Sequence, residues 1–167
     1  MLRLMSLAGG MAGALALSQF PEFSQQYLQR LAGKVDALEK MAGEFDASAE
    51  AAGLSREAAL ASLSGNAFAG LHQADLRTTF GELDRLRSDL ALLREAGPVE
   101  RTLLPHRFLD TETFAATWAD FQPAVPATTA GMATGALGYL GGWAAVSILV
   151  SILVSPFRRR EGGRARV

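Results

Sequence analysis

The feature that most constrains this chain is a long uncharged segment near its C-terminus. No Asp, Glu, Lys or Arg occurs in residues 122–156. The apolar core of this segment, residues 129–154, is long enough to cross the roughly 30 Å hydrocarbon layer of a bilayer as a tilted helix. Proline is tolerated in a first helical turn but not in a helix interior, so we expect Pro123 and Pro126 to mark the start of this helix and Pro156 its end.

The residues after this segment are strongly basic. Arg158, Arg159 and Arg160 follow Phe157 directly, and two further arginines lie within residues 161–167. Clusters of this kind stay on the cytoplasmic side of a membrane. Each basic residue also contributes about 1 kcal/mol of attraction to anionic headgroups. We therefore predict a C-terminal transmembrane helix at residues 124–157 and a cytoplasmic, lipid-facing basic tail at residues 158–167.

A second uncharged segment, residues 4–20, begins directly after Arg3. As a helix it would be about 25 Å long, slightly shorter than the hydrocarbon layer. One interpretation is an N-terminal transmembrane helix over residues 1–20. The alternative is a secretory signal peptide, because a basic residue, an apolar stretch and the small-residue pattern Ala14-Leu15-Ala16 are all present. We favour the transmembrane helix because the segment stays uncharged to Phe20 and is rich in glycine.

Both uncharged segments carry glycines four residues apart. This spacing lines one face of a helix with backbone and lets a second helix approach closely in lipid. We favour packing of the two segments of one chain against each other; dimerisation or docking onto a partner is the alternative. Neither segment contains an ionisable residue, so an ion or proton pathway through them has no supporting side chain. The glycines predicted to pack helices are Gly9, Gly13, Gly131, Gly135, Gly138 and Gly142.

The charges of the chain divide by region. The whole sequence has 16 Lys and Arg, 17 Asp and Glu, and a net charge of −1, which argues against a nucleic-acid partner. Every acidic residue except Glu161 lies in residues 21–123, whereas both ends are basic. The positive-inside rule then predicts cytoplasmic termini and places residues 21–123 on the opposite side of the membrane.

Residues 21–123 have the apolar spacing of two helices. Apolar residues recur at alternating intervals of three and four, which is typical of a coiled-coil seam. Turn-forming residues between the two runs predict a reversal through a short helix near residues 58–63. The interpretation is an antiparallel, coiled-coil-like helical hairpin in which Glu39 pairs with Arg87 and Lys34 pairs with Asp89. The residues of this predicted hairpin seam are Leu28, Leu31, Val35, Leu38, Phe45, Leu76, Leu83, Leu86, Leu90 and Leu93.

The sequence offers little for catalysis. It has no cysteine, which excludes thiol nucleophiles, disulfides and Cys-ligated metals. His72 and His106 lack a second histidine at helical spacing, and no Gly-x-Ser-x-Gly or phosphate-binding loop occurs. We therefore predict no enzymatic activity, no cofactor, no metal site and no small-molecule substrate. A membrane-bound hydrolase using His72 or His106 is a third hypothesis, which would need loss of a measured activity on replacing either histidine.

Two motifs resemble a known family. FPEFSQQYLQRL at residues 20–31 and ATWADFQPAVPATTAG at residues 116–131 are similar to those of an uncharacterised family of small bacterial membrane proteins, a domain of unknown function. The resemblance covers nearly the whole chain and implies a membrane protein, without an assigned activity or catalytic residue.

The sequence predicts an all-α membrane protein with two transmembrane helices flanking the hairpin. With the bacterial family that it resembles, the expected location is the bacterial inner membrane, as a multi-pass protein with the hairpin in the periplasm. Its expected role is that of a scaffold or accessory subunit that contacts membrane lipids. It would bind another envelope protein, or a second copy of itself, through the hairpin or the glycine-rich helices. The alternative is a signal-peptide-processed periplasmic domain with a single C-terminal anchor.

Overall fold

The computed structural model describes residues 2–123 and 128–161, with side chains over residues 3–123 and 128–153. This part of the chain is helical and contains no β-strand, which confirms the predicted all-α class. Two short 3₁₀ turns, Glu100–Leu103 and Pro105–Arg107, separate the last two helices from the first four. The helices are α1 (Leu2–Ser18), α2 (Phe20–Ala51), α3 (Arg56–Ser62), α4 (Ala67–Glu95), α5 (Thr111–Asp120) and α6 (Thr129–Glu161).

The chain divides into two compact units. One combines Met1–Ser24 with Phe121–Val167 and is called here the helix-pair unit. The other, Gln25–Asp120, is called the hairpin unit. Helix α2 tolerates Pro21 because this residue lies in its first turn, where the missing N–H of proline costs no helical hydrogen bond.

Helices α1 and α6 form the helix-pair unit. Their contacts join early residues of α1 to late residues of α6, Ser6 to Ser147 and Gly13 to Gly138, so the two helices are antiparallel. Among the described helices, α6 is long and apolar enough to cross a membrane over Thr129–Leu153, and it is compatible with a membrane anchor. Helix α1 has 17 residues.

The predicted ends of the C-terminal helix need correction. Helix α6 continues past Pro156 to Glu161, so the expected end at this proline is wrong. Proline removes one hydrogen-bond donor, and the bonds on either side of it can hold the helix together. At the other end the first turn is capped by Thr128, whose Oγ1 accepts a hydrogen bond from the Gly131 N–H at 3.0 Å. Pro123 therefore lies before the helix rather than in its first turn, and Pro126 lies outside the described residues.

Helices α2 and α4 are the long arms of the hairpin unit. Residues late in α2 meet residues early in α4, as in the ring contact between Phe45 and Phe80 at 5.4 Å, so the arms are antiparallel. The reversal runs through α3, close to the predicted residues 58–63. It needs backbone with positive φ at Gly53 (+70°) and Gly65 (+105°), a region that favours glycine.

The core of the hairpin unit lies along the facing sides of α2 and α4. Most of the predicted seam is buried there, whereas Leu38, Phe45 and Leu76 are half-buried. Tyr27 and Phe108 extend this core, with ring centroids 4.7 Å apart. The buried seam residues are Leu28, Leu31, Val35, Leu83, Leu86, Leu90 and Leu93.

Candidate functional site

The closest approach between α1 and α6 is made by glycines. A Cβ added to Gly13 would lie well inside 3.0 Å of the carbonyl oxygen of Gly138, and a Cβ on Gly138 would lie equally close to that of Gly13. The same holds for a Cβ on Gly142 against the carbonyl of Gly9. Real Cβ atoms do not come this close to backbone, so Gly13, Gly138 and Gly142 have no room for a larger residue. A Cβ on Gly9 would instead collide with the side chain of Val146. Backbone packs directly on backbone, the arrangement that this glycine spacing permits.

The other predicted packing glycines lie at the ends of this contact or beside it. A Cβ on Gly135 would lie 3.3 Å from the Cβ of Ser18, a tight but less severe approach. Gly131 is buried in the first turn of α6. Gly10, which the four-residue spacing did not select, is also constrained, since its Cβ would lie 2.8 Å from the ring of Tyr139. The sequence feature that could have identified Gly10 was the doublet Gly9-Gly10, which widens the face of α1 that lacks side chains.

A cross-helix hydrogen bond accompanies the glycine contact. The hydroxyl of Ser147 lies 2.8 Å from that of Ser6 and 2.7 Å from the carbonyl oxygen of Trp143. Ser6 is 3% exposed, so this bond is shielded from solvent. Sequence reasoning missed it because a single serine on each helix has no periodic pattern. The bond fixes the register of α1 on α6 at the end where α1 begins.

In the hairpin unit, charged side chains converge on Lys34 of α2. Its Nζ lies 2.8 Å from Oε1 of Glu82 and 3.1 Å from both Oδ1 of Asp110 and Oε2 of Glu112. The predicted Lys34–Asp89 pair is therefore wrong. Helix α5 packs its first turn beside α2, and the lysine stem reaches those carboxylates instead. Burial acts to lower the pKa of Lys34, but hydrogen bonds from its ammonium to Glu82, Glu112 and Asp110 outweigh burial and raise the pKa.

Asp110 has a second role as the N-cap of α5. Its Oδ2 accepts a hydrogen bond from the Thr113 N–H at 3.1 Å, which satisfies a donor of the first helical turn. Burial acts to raise the pKa of Asp110, yet the hydrogen bonds from Thr113 and Lys34 hold it below its ordinary value. This one carboxylate therefore starts a helix and joins that helix to α2.

Asp89 is paired elsewhere in the same cluster. Its Oδ1 accepts a hydrogen bond from Arg107 at 2.8 Å, and Arg85 lies 3.7 Å from its other oxygen. Tyr27 is fully buried nearby, and burial raises its pKa to about 12. The Tyr27 hydroxyl and Nε of Arg107 are buried without a hydrogen-bond partner among the described residues. The cluster joins α2, α4 and the second 3₁₀ turn to α5 through ion pairs.

A further buried cation closes the C-terminal end of α4. Nε of Arg101 donates a hydrogen bond at 2.8 Å to the carbonyl of Leu93, one of the last carbonyls of that helix. Its NH1 reaches the side-chain oxygen of Gln25 at 3.3 Å. Burial lowers the pKa of Arg101. Arg101 thereby satisfies a helix end and joins it to α2.

The two candidate histidines lie in different elements of the hairpin unit. His72, in α4, stacks on Phe68 with ring centroids 6.2 Å apart, and His106 lies exposed in the second 3₁₀ turn. In the part of the chain that the structure describes, no group of three or more His, Asp, Glu or Cys residues could hold a metal ion. Nothing in this arrangement assigns either histidine a chemical role.

The start of α4 presents apolar side chains to solvent. Phe68 is 79% exposed and Leu71 is 67% exposed, although both are large and hydrophobic. Leu54, in the preceding reversal, is also exposed. Single exposed apolar residues are ordinary, but several together at one end of a hairpin are typical of interaction surfaces. We call Leu54, Phe68 and Leu71 the hairpin tip.

Comparison with known proteins gives a family without an activity. No curated protein and no solved structure matches the chain. Residues 1–159 match the family described as "Protein of unknown function (DUF2937)", and the match includes both units and all six helices to within two residues of the end of α6. The chain therefore belongs to the DUF2937 family of proteins of unknown function.

Proposed function

We propose that this protein is an integral protein of the bacterial inner membrane with two membrane helices, α1 and α6. In this proposal both termini lie in the cytoplasm and the hairpin unit lies in the periplasm. The protein acts as a scaffold or accessory subunit that binds another envelope protein. No catalytic residue, cofactor, metal, nucleic acid or small-molecule substrate forms part of the proposal.

The observation that carries the membrane part is the backbone contact between α1 and α6. Between helices in lipid, burial of apolar surface supplies no driving force, and close van der Waals packing takes its place. Gly9, Gly13, Gly138 and Gly142 provide such packing and leave no space for side chains. The close packing of the two helices supports α1 as a membrane helix that stays paired with α6, although α1 is short for a membrane span.

Cysteine labelling tests the topology, because the chain contains no cysteine of its own. Ala51 is exposed at the end of α2 and belongs to the acidic hairpin unit. We expect Ala51→Cys to react with a membrane-impermeant thiol reagent added to the periplasmic side, and Arg164→Cys in the basic tail to react only after the membrane is opened. Labelling of Arg164→Cys in sealed cells would contradict the topology.

The hairpin tip supports the partner-binding part. Exposure of apolar side chains to water is unfavourable, and a bound partner would bury them. A photo-reactive amino acid at Leu71 should cross-link one defined protein in native membranes. The same amino acid at Ser88, an exposed polar position of the same helix, is the matched control. A cross-link between two copies of the chain would replace the accessory role by self-association, and equal cross-linking at both positions would argue against the tip as a binding surface.

A second candidate is a periplasmic protein with a processed N-terminus and one anchor. It is favoured by a specific observation: only α6, among the described helices, meets the length and hydropathy needed to cross a membrane. The intact mass of the membrane-extracted protein separates the two candidates. A mature chain beginning at Leu17 or Gln19 would establish the processed form, and a full-length mass would establish retention of α1.

A further inference from the structure

A groove opens on the helix-pair unit beside the glycine contact. Its volume is about 420 Å³, and it is lined by Arg3, Ser6 and Leu7 of α1 with Trp143 and Ser147 of α6. Small-molecule sites in proteins usually enclose about 300–1,000 Å³. The groove is therefore large enough for a phosphate group and part of the molecule that carries it.

The groove contains a single formal charge, the guanidinium of Arg3. Residues 4–18 of α1 and residues 129–153 of α6 contain no acidic side chain, and Glu161 is the one acidic residue of α6. By the register of the two helices, Glu161 lies about eleven residues, roughly 16 Å, beyond the level of Arg3. A cation at the edge of an apolar region is costly unless an anion or water solvates it. The side chains described on these two helices offer Arg3 no carboxylate, so an anion from outside them can take that place.

The register of the two helices places Arg3 in the first turn of α1, beside the C-terminal part of α6. Ser6 is level with Ser147, and Arg3 lies three residues, about 4.5 Å, further toward the C-terminal end of α6. The uncharged segment of the sequence continues to Phe157. Arg3 therefore lies about seven residues, roughly 10 Å, inside the end of that segment, a depth from which long basic side chains reach outward to lipid phosphates.

The donors of Arg3 suit a phosphate. Arg3 has five N–H donors in a planar fork that matches phosphate oxygens. Trp143 is 48% exposed and lines the deeper part of the groove from the opposite helix. Ser6 and Ser147 already bond to each other and form the wall between Arg3 and Trp143. Leu7 is exposed and offers apolar surface to an acyl chain.

We propose that this groove binds an anionic phospholipid, with Arg3 as the contact to its phosphate and Trp143 beside its acyl chain. The inference rests on the proposed function, because a lipid reaches the groove only if α1 and α6 lie in a bilayer. It goes beyond that function by assigning a specific lipid site separate from the basic tail at Arg158, Arg159 and Arg160.

Fluorescence quenching tests this site. The chain has 2 tryptophans, so Trp118→Phe leaves Trp143 as the only one. The full chain with this substitution is reconstituted into phosphatidylcholine vesicles that contain either brominated phosphatidylglycerol or brominated phosphatidylcholine. Half-maximal quenching of Trp143 should require about fivefold less brominated phosphatidylglycerol, the ratio expected for one basic contact to an anionic headgroup.

Variants assign the preference to the groove. Arg3→Gln should remove the fivefold difference, whereas Arg3→Lys should keep part of it because the positive charge remains. Arg159→Gln removes one charge from the basic tail and is the matched control, which should keep the preference. Equal loss in Arg3→Gln and Arg159→Gln would overturn the proposal, since general attraction to the tail would then explain the effect.

Two further measurements separate the possible failures. Inorganic phosphate at millimolar concentration should not displace the brominated lipid; displacement would identify a site for free phosphate and overturn the assignment to lipid. Flotation of the vesicles shows whether the protein is membrane-bound at all. Failure to float would contradict the proposed function, whereas flotation with equal quenching by both lipids would overturn the groove alone.

Discussion

The carboxylate of Glu39 accepts a hydrogen bond from Nε of Arg87 at 2.8 Å, joining two helices across 48 residues of sequence. The pair confirms the register predicted from the heptad positions of α2 and α4. Both side chains are partly exposed, so the pair contributes little to stability, about 0.2–1 kcal/mol. Its value is as a marker of how the two helices align.

Charge reversal at this pair tests the register. We expect Glu39→Arg to lower the melting temperature slightly through repulsion of Arg87, and the added change Arg87→Glu to restore it. Thermal melts of the parent, both single variants and the double variant give the coupling between the two sites. Strictly additive effects would show that the two side chains do not interact in solution.

The hairpin core should depend on Leu86. This residue is fully buried, and Leu86→Asp would place an unpaired charge in the core, which should unfold the hairpin unit. Leu92 lies on the same helix and is 39% exposed, so Leu92→Asp is the matched control and should remain folded. Helix content and melting of the two proteins by circular dichroism provide the measurement; equal stability would mean that Leu86 is not in the core.

The glycine contact should reject any side chain at Gly13. A Cβ there would collide with the Gly138 backbone, so Gly13→Ile should separate α1 from α6. Gly141 has nothing within 4 Å of an added Cβ, and Gly141→Ile should be tolerated. The readout is a disulfide between Ser6→Cys and Ser147→Cys, which are the only thiols in the protein. We expect it to form in the parent and in Gly141→Ile but not in Gly13→Ile.

If that disulfide forms equally in all three proteins, the backbone contact is not what holds α1 to α6. Its formation between two chains rather than within one would show that the glycine face joins two copies. The two products differ twofold in mass and separate on a non-reducing gel.

Asp110 should make the hairpin unit sensitive to acid. Its pKa in the folded protein is below the ordinary value of 3.8, so its contribution is present above that value and is lost as the pH falls through the folded pKa. At pH 7 we expect Asp110→Asn to lower the free energy of unfolding by about 1–3 kcal/mol, because it removes the charge that pairs with Lys34 while asparagine still caps the helix. As the pH falls through the folded pKa of Asp110, the variant and the parent should converge.

The control for Asp110 is Glu112→Gln. Glu112 binds the same Lys34, but its side chain is 82% exposed, so its removal should change the unfolding free energy by less than about 1 kcal/mol. Urea unfolding between pH 2.5 and 7 compares the three proteins. A difference between parent and Asp110→Asn that persists unchanged at the lowest pH would show that the cap acts without its charge.

The sequence by itself determined the features that depend on neighbouring residues. Apolar spacing of three and four predicted α2 and α4, because a helix buries one face at that period. The turn residues between them predicted the reversal, because glycine and short polar residues interrupt the helical pattern. The glycine spacing identified the small faces of α1 and α6, since that pattern repeats once per helical turn.

Only the tertiary structure decided which distant groups meet. Lys34 has several carboxylates within reach, and its choice of Glu82, Asp110 and Glu112 over Asp89 depends on where α5 packs. Likewise the bond between Ser6 and Ser147 follows from how α1 and α6 align, and a lone serine carries no periodic signal. Helix propensity and the spacing of apolar residues depend on neighbours within a few residues. The partners of long or isolated polar side chains, in contrast, are fixed by the positions of whole helices.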